Sequence, residues 1–392
     1  MSEVPDRPAV GPFRRRSFLA SAALATGAPA VAAGVPVVAA GPAQAATLPE
    51  SAVPTAPAVG SVARLLAVAE NGRGVEWLRS SLQLAVGLEL ATIPPYLCGW
   101  WSVKDRGSEV ARMIRRIVGD EMFHLSIACN LLVAVGGRPQ IKAAAPVFPG
   151  PLPGGVRAGV NVYLAGLSKA YVRDVMMAIE APEEPLTRGA QTSPTVGEFY
   201  AAIQEAFQTV RPELSVRGQV SEHVGGDDLR PIENLDHVER AIEIIREQGE
   251  GTSSSPADPY EDDERAHYYA FGEIYHGREL RETEEGWRYV GGPVPFPDVR
   301  PMAPVPVGGW PTPQDDHVRG LLHRFDATYS TVLDTLDSAW AGGGHRALNA
   351  AEHAMRGLER PAVELMETPL PYAPGHTYGP QFRALPRPPR VS

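Results

Sequence analysis

The sequence predicts an all-α fold, a four-helix bundle with a long crossover and additional C-terminal helices. Three observations predict it. Long stretches repeat their apolar residues at helical spacing, no stretch reads with confidence as a strand, and the pattern Asp-Glu-x-x-His is written twice, at Asp120–His124 and Asp263–His267. A random chain of this composition would hold roughly 0.03 such pentamers, so the doubling needs a physical account.

The 392 residues are 44% hydrophobic and 21% charged, the balance of a globular protein. A formal charge of −10 and a pI near 5.5 argue against a nucleic-acid partner, and no basic run outside the leader contradicts that. Pro is enriched at 39 residues, concentrated in the leader and in "GGPVPFPDVRPMAPVPVGGWPTP" rather than in the periodic stretches.

The first 45 residues read as a targeting segment. In "FRRRSFLASAALA", Arg15-Arg16 precede Ser17-Phe18-Leu19 and a small, weakly apolar run, and "AQA" at Ala43–Ala45 fits small-x-small cleavage. This resembles a twin-arginine signal, which hands folded proteins to the twin-arginine export machinery, so the mature chain is expected outside the cytoplasm from about Ala46. The leader carries four Arg against two acids, and its removal takes the charge from −10 to −12. Cys98 and Cys129 are the two cysteines, and they fall towards opposite ends of neighbouring helices, too far apart to bridge.

The domain plan is a leader at 1–45, a linker at 46–73, a metal-binding bundle at 74–282, a Pro/Gly-rich segment at 283–314 and a helical extension at 315–392. The first helix spans about Gly74–Trp101, and Glu89 is the lone charge between Arg79 and Lys104. An unpaired carboxylate on so apolar a face would cost several kcal/mol, so Glu89 needs a partner. With Gly87, Glu89 and Pro94-Pro95 in its middle, the stretch is a poor membrane span, and no stable span is expected after cleavage. After a short turn the second helix, about Ser108–Val135, lies antiparallel to it. Its apolar stripe Ile114, Ile117, Ala128, Leu131 is interrupted only by Glu121 and His124. Further helices are expected at about Val162–Glu180, Thr195–Val210, "LDHVERAIEIIREQGEG", Tyr260–Leu280, Asp315–Trp340 and His345–Glu367.

Residues i and i+3 share one face of a helix, so Glu121/His124 and Glu264/His267 can each grip one ion. With a Glu from each of two further helices they make four carboxylates and two histidines, the ligand set of ferritin-like di-iron and di-manganese bundles. Oxygen and imidazole donors suit iron or manganese better than structural zinc. Two irons are the expected cofactor, with manganese or a mixed pair as the alternative. Asp120 and Asp263 are placed to accept from the outer N–H of a ligating histidine, each serving the His of the facing helix. Glu273/His276 repeats the spacing but projects to the opposite side of its helix. For the fourth carboxylate, Glu198 beside an apolar stripe is preferred to Glu180 at a helix end and Glu250 in a turn.

The segments "LELATIPPYL", "DEMFHLSIACNLLVAVGGRP", "VGEFYAAI", "EQGEG" and "ERAHYYAFGEI" resemble, in order, the ferritin-like domain of the iminophenyl-pyruvate dimer synthase type, found in violacein- and rebeccamycin-pathway enzymes. The likeness covers about Val75–Leu280 and, weakly, the closing "YGPQF". It implies a ferritin-like bundle, oxidative chemistry on small, often amino-acid-derived molecules, and ligand roles for Glu89, Glu121, His124, Glu198, Glu264 and His267. The chain differs from the multi-domain violacein-pathway members in its leader and its shorter length. The expected function is an exported dinuclear-metal oxidase or oxygenase acting on a small organic substrate with O₂. The alternatives are metal storage or scavenging without an organic substrate, and a metal-free helical binding protein.

Overall fold

The computed structural model describes residues 61–182, 194–249, 256–257 and 264–386. The leader, most of the linker, Glu250 and Asp263 lie outside them.

Helices α1 (Val75–Ser102) and α2 (Glu109–Ala134) are the long hairpin of the bundle. Ser108 caps α2 by accepting from the Ala111 N–H, so the chain turns and restarts within six residues of the end of α1. Almost every α1 side chain from Leu82 to Leu97 is buried, Pro94 and Pro95 included. A helix apolar on all sides must be covered on all sides.

The third bundle helix, α3, is short and irregular: an α turn at Lys169–Tyr171, a π turn at Val172–Met176 and a closing α turn at Met177–Glu180. The sequence suggested that this helix begins near Val162. Instead Asn161–Val162 (β2) pairs with Gly150–Pro151 (β1), and helix starts only after the Ser168 cap. Next in the chain are two helices, α4 (Val196–Val210) and α5 (Leu235–Gly249); they pack on each other and against α1 and α2. The small hairpin Glu222–Val224 (β3) and Asp227–Leu229 (β4) lies between them in sequence. It touches α2 backbone to backbone. A Cβ on Gly119 would sit 2.6 Å from the Gly225 carbonyl oxygen, so only glycine permits the approach.

The fourth bundle helix, α6, spans His267–His276 and packs on α3 and α2. It is shorter at both ends than its periodicity predicts. Gly277 terminates it in the left-handed conformation (φ 72°), and the chain enters a hairpin, Arg278–Thr283 (β5) with Gly286–Pro293 (β6).

The C-terminal extension supplies α7 (Asp316–Ser338), α8 (Gly344–Arg356) and α9 (Glu359–Glu367), and α9 covers part of α1. The closing "YGPQF" is a buried anchor rather than a tail. Phe382 stacks on Trp101 of α1 with centroids 6.0 Å apart, and Gln381 Nε2 donates to Asp326 of α7 at 2.8 Å. Cys98 and Cys129 are buried and free, as the spacing predicts.

Asn130 of α2 ties these layers together. Its Nδ2 donates to the Val220 carbonyl (2.8 Å), while its Oδ1 accepts from Val220 N–H (2.9 Å) and from Trp340 Nε1 (2.9 Å). Asn130→Leu orphans those buried groups and should lower the unfolding free energy by about 3 kcal/mol in urea titration. A loss within error of zero would mean that solvent reaches them.

Candidate metal centre

Five buried side chains from four helices converge inside the bundle: Glu89 of α1, Glu121 and His124 of α2, Glu180 closing α3, and His267 opening α6. All are at 7% exposure or less. The Glu121/His124 spacing puts both on the face of α2 that meets Glu89. Two donor triads result, Glu89/Glu121/His124 and Glu121/Glu180/His267, and in each the donor atoms lie within 4.8 Å of one another. Glu121 belongs to both, so it is the residue placed to bridge two ions.

Both imidazoles turn Nδ1 inward. His267 Nδ1 is 2.9 Å from Glu121 Oε1 and 3.8 Å from Glu180 Oε1; His124 Nδ1 is 3.8 Å from Glu121 and 3.9 Å from Glu89. The rings are nearly parallel, 5.7 Å apart. The outer nitrogens have different partners. His267 Nε2 lies 3.1 Å from Asp120, which Arg116 binds in turn at 3.0 Å, whereas His124 Nε2 lies 2.8 Å from the Gln248 amide oxygen of α5. Asp120 therefore serves the histidine of the facing helix, as the sequence suggests. Gln248 was not expected, since one amide on an amphipathic helix carries no signal. Each carboxylate also accepts a hydroxyl: Tyr200 donates to Glu89 at 2.6 Å, Thr92 to Glu121 at 2.7 Å, and Tyr96 to Glu180.

Two residues expected among the ligands stand apart. Glu198 is occupied by a capping box: Thr195 Oγ1 accepts from the Glu198 N–H, and the Glu198 carboxylate accepts from the Thr195 N–H at 2.7 Å. Its α4 contributes Tyr200 instead. The third-helix carboxylate of the cluster is Glu180, whose terminal position hid it. A π turn holds one residue more than an α turn and rotates the later residues of the helix by about 100°, which here brings the last residue of α3 onto the inner face. Glu264 precedes the first turn of α6, is half exposed, and lies 3.4 Å from Arg116 Nε. Glu273 and His276 point away, as expected: Glu273 accepts from the Leu280 N–H at 2.6 Å, and His276 stacks on Tyr289 at 4.2 Å.

Residues 82–276, from inside α1 to the end of α6, match the protein-family model described as Ferritin-like. The fold of these residues is ferritin-like. A ferritin-like protein from Caulobacter vibrioides, known from a crystal structure at 1.95 Å resolution, aligns with a TM-score of 0.57 at 22% identity, over 78% of this chain and 97% of that one. At that identity the likeness is one of fold. No curated protein matches the chain.

The donors of this ferritin-like fold fit a pair of divalent ions. The cavity among Glu89, Glu121, His124 and Glu180 is about 30 Å³, room for ions or a water but not for an organic molecule. His267 Nδ1 is buried without an aligned hydrogen-bond partner although carboxylates face it, a position that a cation shared with those carboxylates would satisfy. Without that cation the charges respond to one another. Burial first, and then the Glu121 charge, push the Glu89 carboxyl well above its usual range. Burial acts the same way on Glu121, but hydrogen bonding and charge from His267 outweigh it and hold Glu121 below its usual value. Burial opposes the charge on His267, and the facing carboxylates of Asp120, Glu121 and Glu180 overcome it and raise that imidazole well above its usual value.

The upward shifts of Glu89 and His267 favour protons that a metal must displace. Metal binding should therefore release protons, and affinity should rise with pH across neutrality. Titration calorimetry in two buffers of different ionisation enthalpy measures the release, and zero release would contradict this electrostatic picture. Because a carboxylate partner makes an imidazole a stronger donor than an amide does, the His267 position should fill first. Asp120→Asn should weaken that step by roughly 10–100-fold in a Mn²⁺ titration. An unaltered first step would separate Asp120 from the metal site.

Proposed function

We propose that this chain is a dinuclear-metal oxidase or oxygenase, with iron as its first candidate metal, that uses O₂ to transform a small organic, amino-acid-derived substrate. The observation that carries the reading is the pair of buried triads sharing Glu121, a donor set with one candidate bridge, one terminal carboxylate and one imidazole for each ion. Bound there, a redox-active pair would supply O₂ activation and oxidising equivalents, chemistry that no side chain of the chain provides alone.

The chain's own residues do the positioning. Asp120 and Gln248 fix the imidazoles with Nδ1 inward, and Tyr200, Thr92 and Tyr96 hold the carboxylates in orientation. Leu88, Leu152, Ile179, Val196 and Ile245 make much of the remaining cavity wall apolar, and Arg246 is the charged residue beside them. Glu264 stands three residues before His267, half exposed and 3.4 Å from Arg116 Nε; release from Arg116 would let it join the donor set. The twin-arginine-like leader supports export of the folded, loaded protein, since a metal acquired in the cytoplasm would travel with it. The length beyond a four-helix subunit favours an enzyme over a storage protein.

Metal content tests the reading directly. Mature protein from iron-replete cells should carry close to two irons per chain, and Glu121→Ala/His267→Ala should carry none while keeping its helical circular dichroism. The reduced wild type should consume O₂ faster with an aromatic amino-acid derivative present. A folded, reconstituted wild type that holds no metal would end the proposal, and an assembled shell that takes up iron without substrate would transfer it to storage.

A further inference from the structure

Gln248 has two neighbours. On one side its buried amide oxygen accepts from His124; on the other it forms the end wall of a cleft of about 570 Å³ between α2, α5 and the β3–β4 hairpin. Gln248 is therefore shared between the metal centre, which its amide oxygen reaches through His124, and the cleft, which its side chain lines. The floor is apolar, built from Phe123 and Ile127 of α2 and Ile244 of α5. The rim carries Arg230, Arg240, His223 and His237 against Asp227 and Asp228, and Asp228 lies 3.2 Å from His223 Nδ1. The hairpin wall is held in place by the contact of Gly119 with Gly225. The volume is that of a small-molecule site, roughly 300–1,000 Å³.

We infer that this cleft is a second binding site, for a small organic acid, coupled to the metal centre through Gln248. The apolar body of the acid lies on Phe123, Ile127 and Ile244, its carboxylate meets Arg230, and one of its oxygens accepts from the Gln248 amide. An acceptor on that nitrogen polarises the amide, so its oxygen takes the His124 N–H more strongly and His124 becomes a better donor. Ligand and metal then tighten each other by the same factor. Binding in the cleft is independent of the proposed oxidase; the coupling rests on the metal-centre reading.

The test uses the full mature chain with anilinonaphthalene sulfonate as the fluorescent aromatic anion and benzoate as the competing acid. One saturable site displaced by benzoate is expected. Ile244→Trp, which fills the floor, and Arg230→Glu should each weaken benzoate by roughly tenfold with unchanged circular dichroism. Wild-type benzoate affinity in both variants, or no displacement by benzoate, overturns the site. In the second arm Mn²⁺ is titrated and followed by electron paramagnetic resonance. Benzoate should tighten Mn²⁺ binding by about fivefold in the wild type and not in Gln248→Leu. Mn²⁺ affinity indifferent to benzoate overturns the coupling and leaves the cleft. A folded protein that takes up no Mn²⁺ overturns the coupling together with the metal centre, and the cleft is then decided by the first arm.

Discussion

Burying three carboxylates and two imidazoles in one helical core is the constraint to which the rest of this structure answers. A single unpaired carboxylate at that depth costs several kcal/mol, and three close together repel one another as well. The chain meets the constraint twice. Every acid receives a hydroxyl, from Tyr200, Thr92 or Tyr96, and every imidazole gives its outer nitrogen to Gln248 or Asp120. The inward-facing atoms that remain are oxygen lone pairs and two Nδ1 atoms, which only protons or cations can satisfy. Burial favours a proton on Glu89, and the facing carboxylates favour a charge on His267.

The two halves of the centre are not equivalent. The α2 half is written within a continuous helix, so Glu121 and His124 both face inward. The α6 half begins at His267, and Glu264, one turn earlier, lies outside the helix against Arg116. The outer partners differ in kind too: a carboxylate that is itself bound by an arginine stands behind His267, and a neutral amide behind His124. An ion at the His267 position meets the stronger imidazole donor.

What was legible in the sequence depended on whether the signal was local. Glu89 was readable because a lone acid in an apolar helix needs a partner, Glu121 and His124 because they share one face, and Asp120 because ligating histidines take outer-shell carboxylates. Glu180 was not, because inward or outward placement after a π turn cannot be read from a regular period, and its position at a helix end argued against it. Glu198 misled for a related reason. Its place beside the apolar stripe of α4 is real, but three residues after a threonine cap its carboxylate serves the backbone. The long crossover and the C-terminal helices were anticipated, whereas the β5–β6 hairpin was not: its first residues were read as the end of a helix whose boundary Gly277 sets, and its second strand as part of the Pro/Gly-rich segment.

The inserted pair α4–α5 is what lets so short a bundle hold a buried centre. Helices α3 and α6 are too short to enclose the donors set between them and the α1–α2 hairpin. Helix α4 supplies Tyr200 to Glu89, and the last turn of α5 supplies Gln248 to His124 and then Gly249 against Glu180. That last contact fixes how near α5 can come, for a Cβ at Gly249 would stand 3.3 Å from Glu180 Oε2 and press on a carboxylate already held by Tyr96. Glycine there lets the helix seal the cavity without moving the ligand. An insertion that could pass for decoration on a four-helix bundle is thus part of the centre's outer wall, and the site belongs to six helices rather than four.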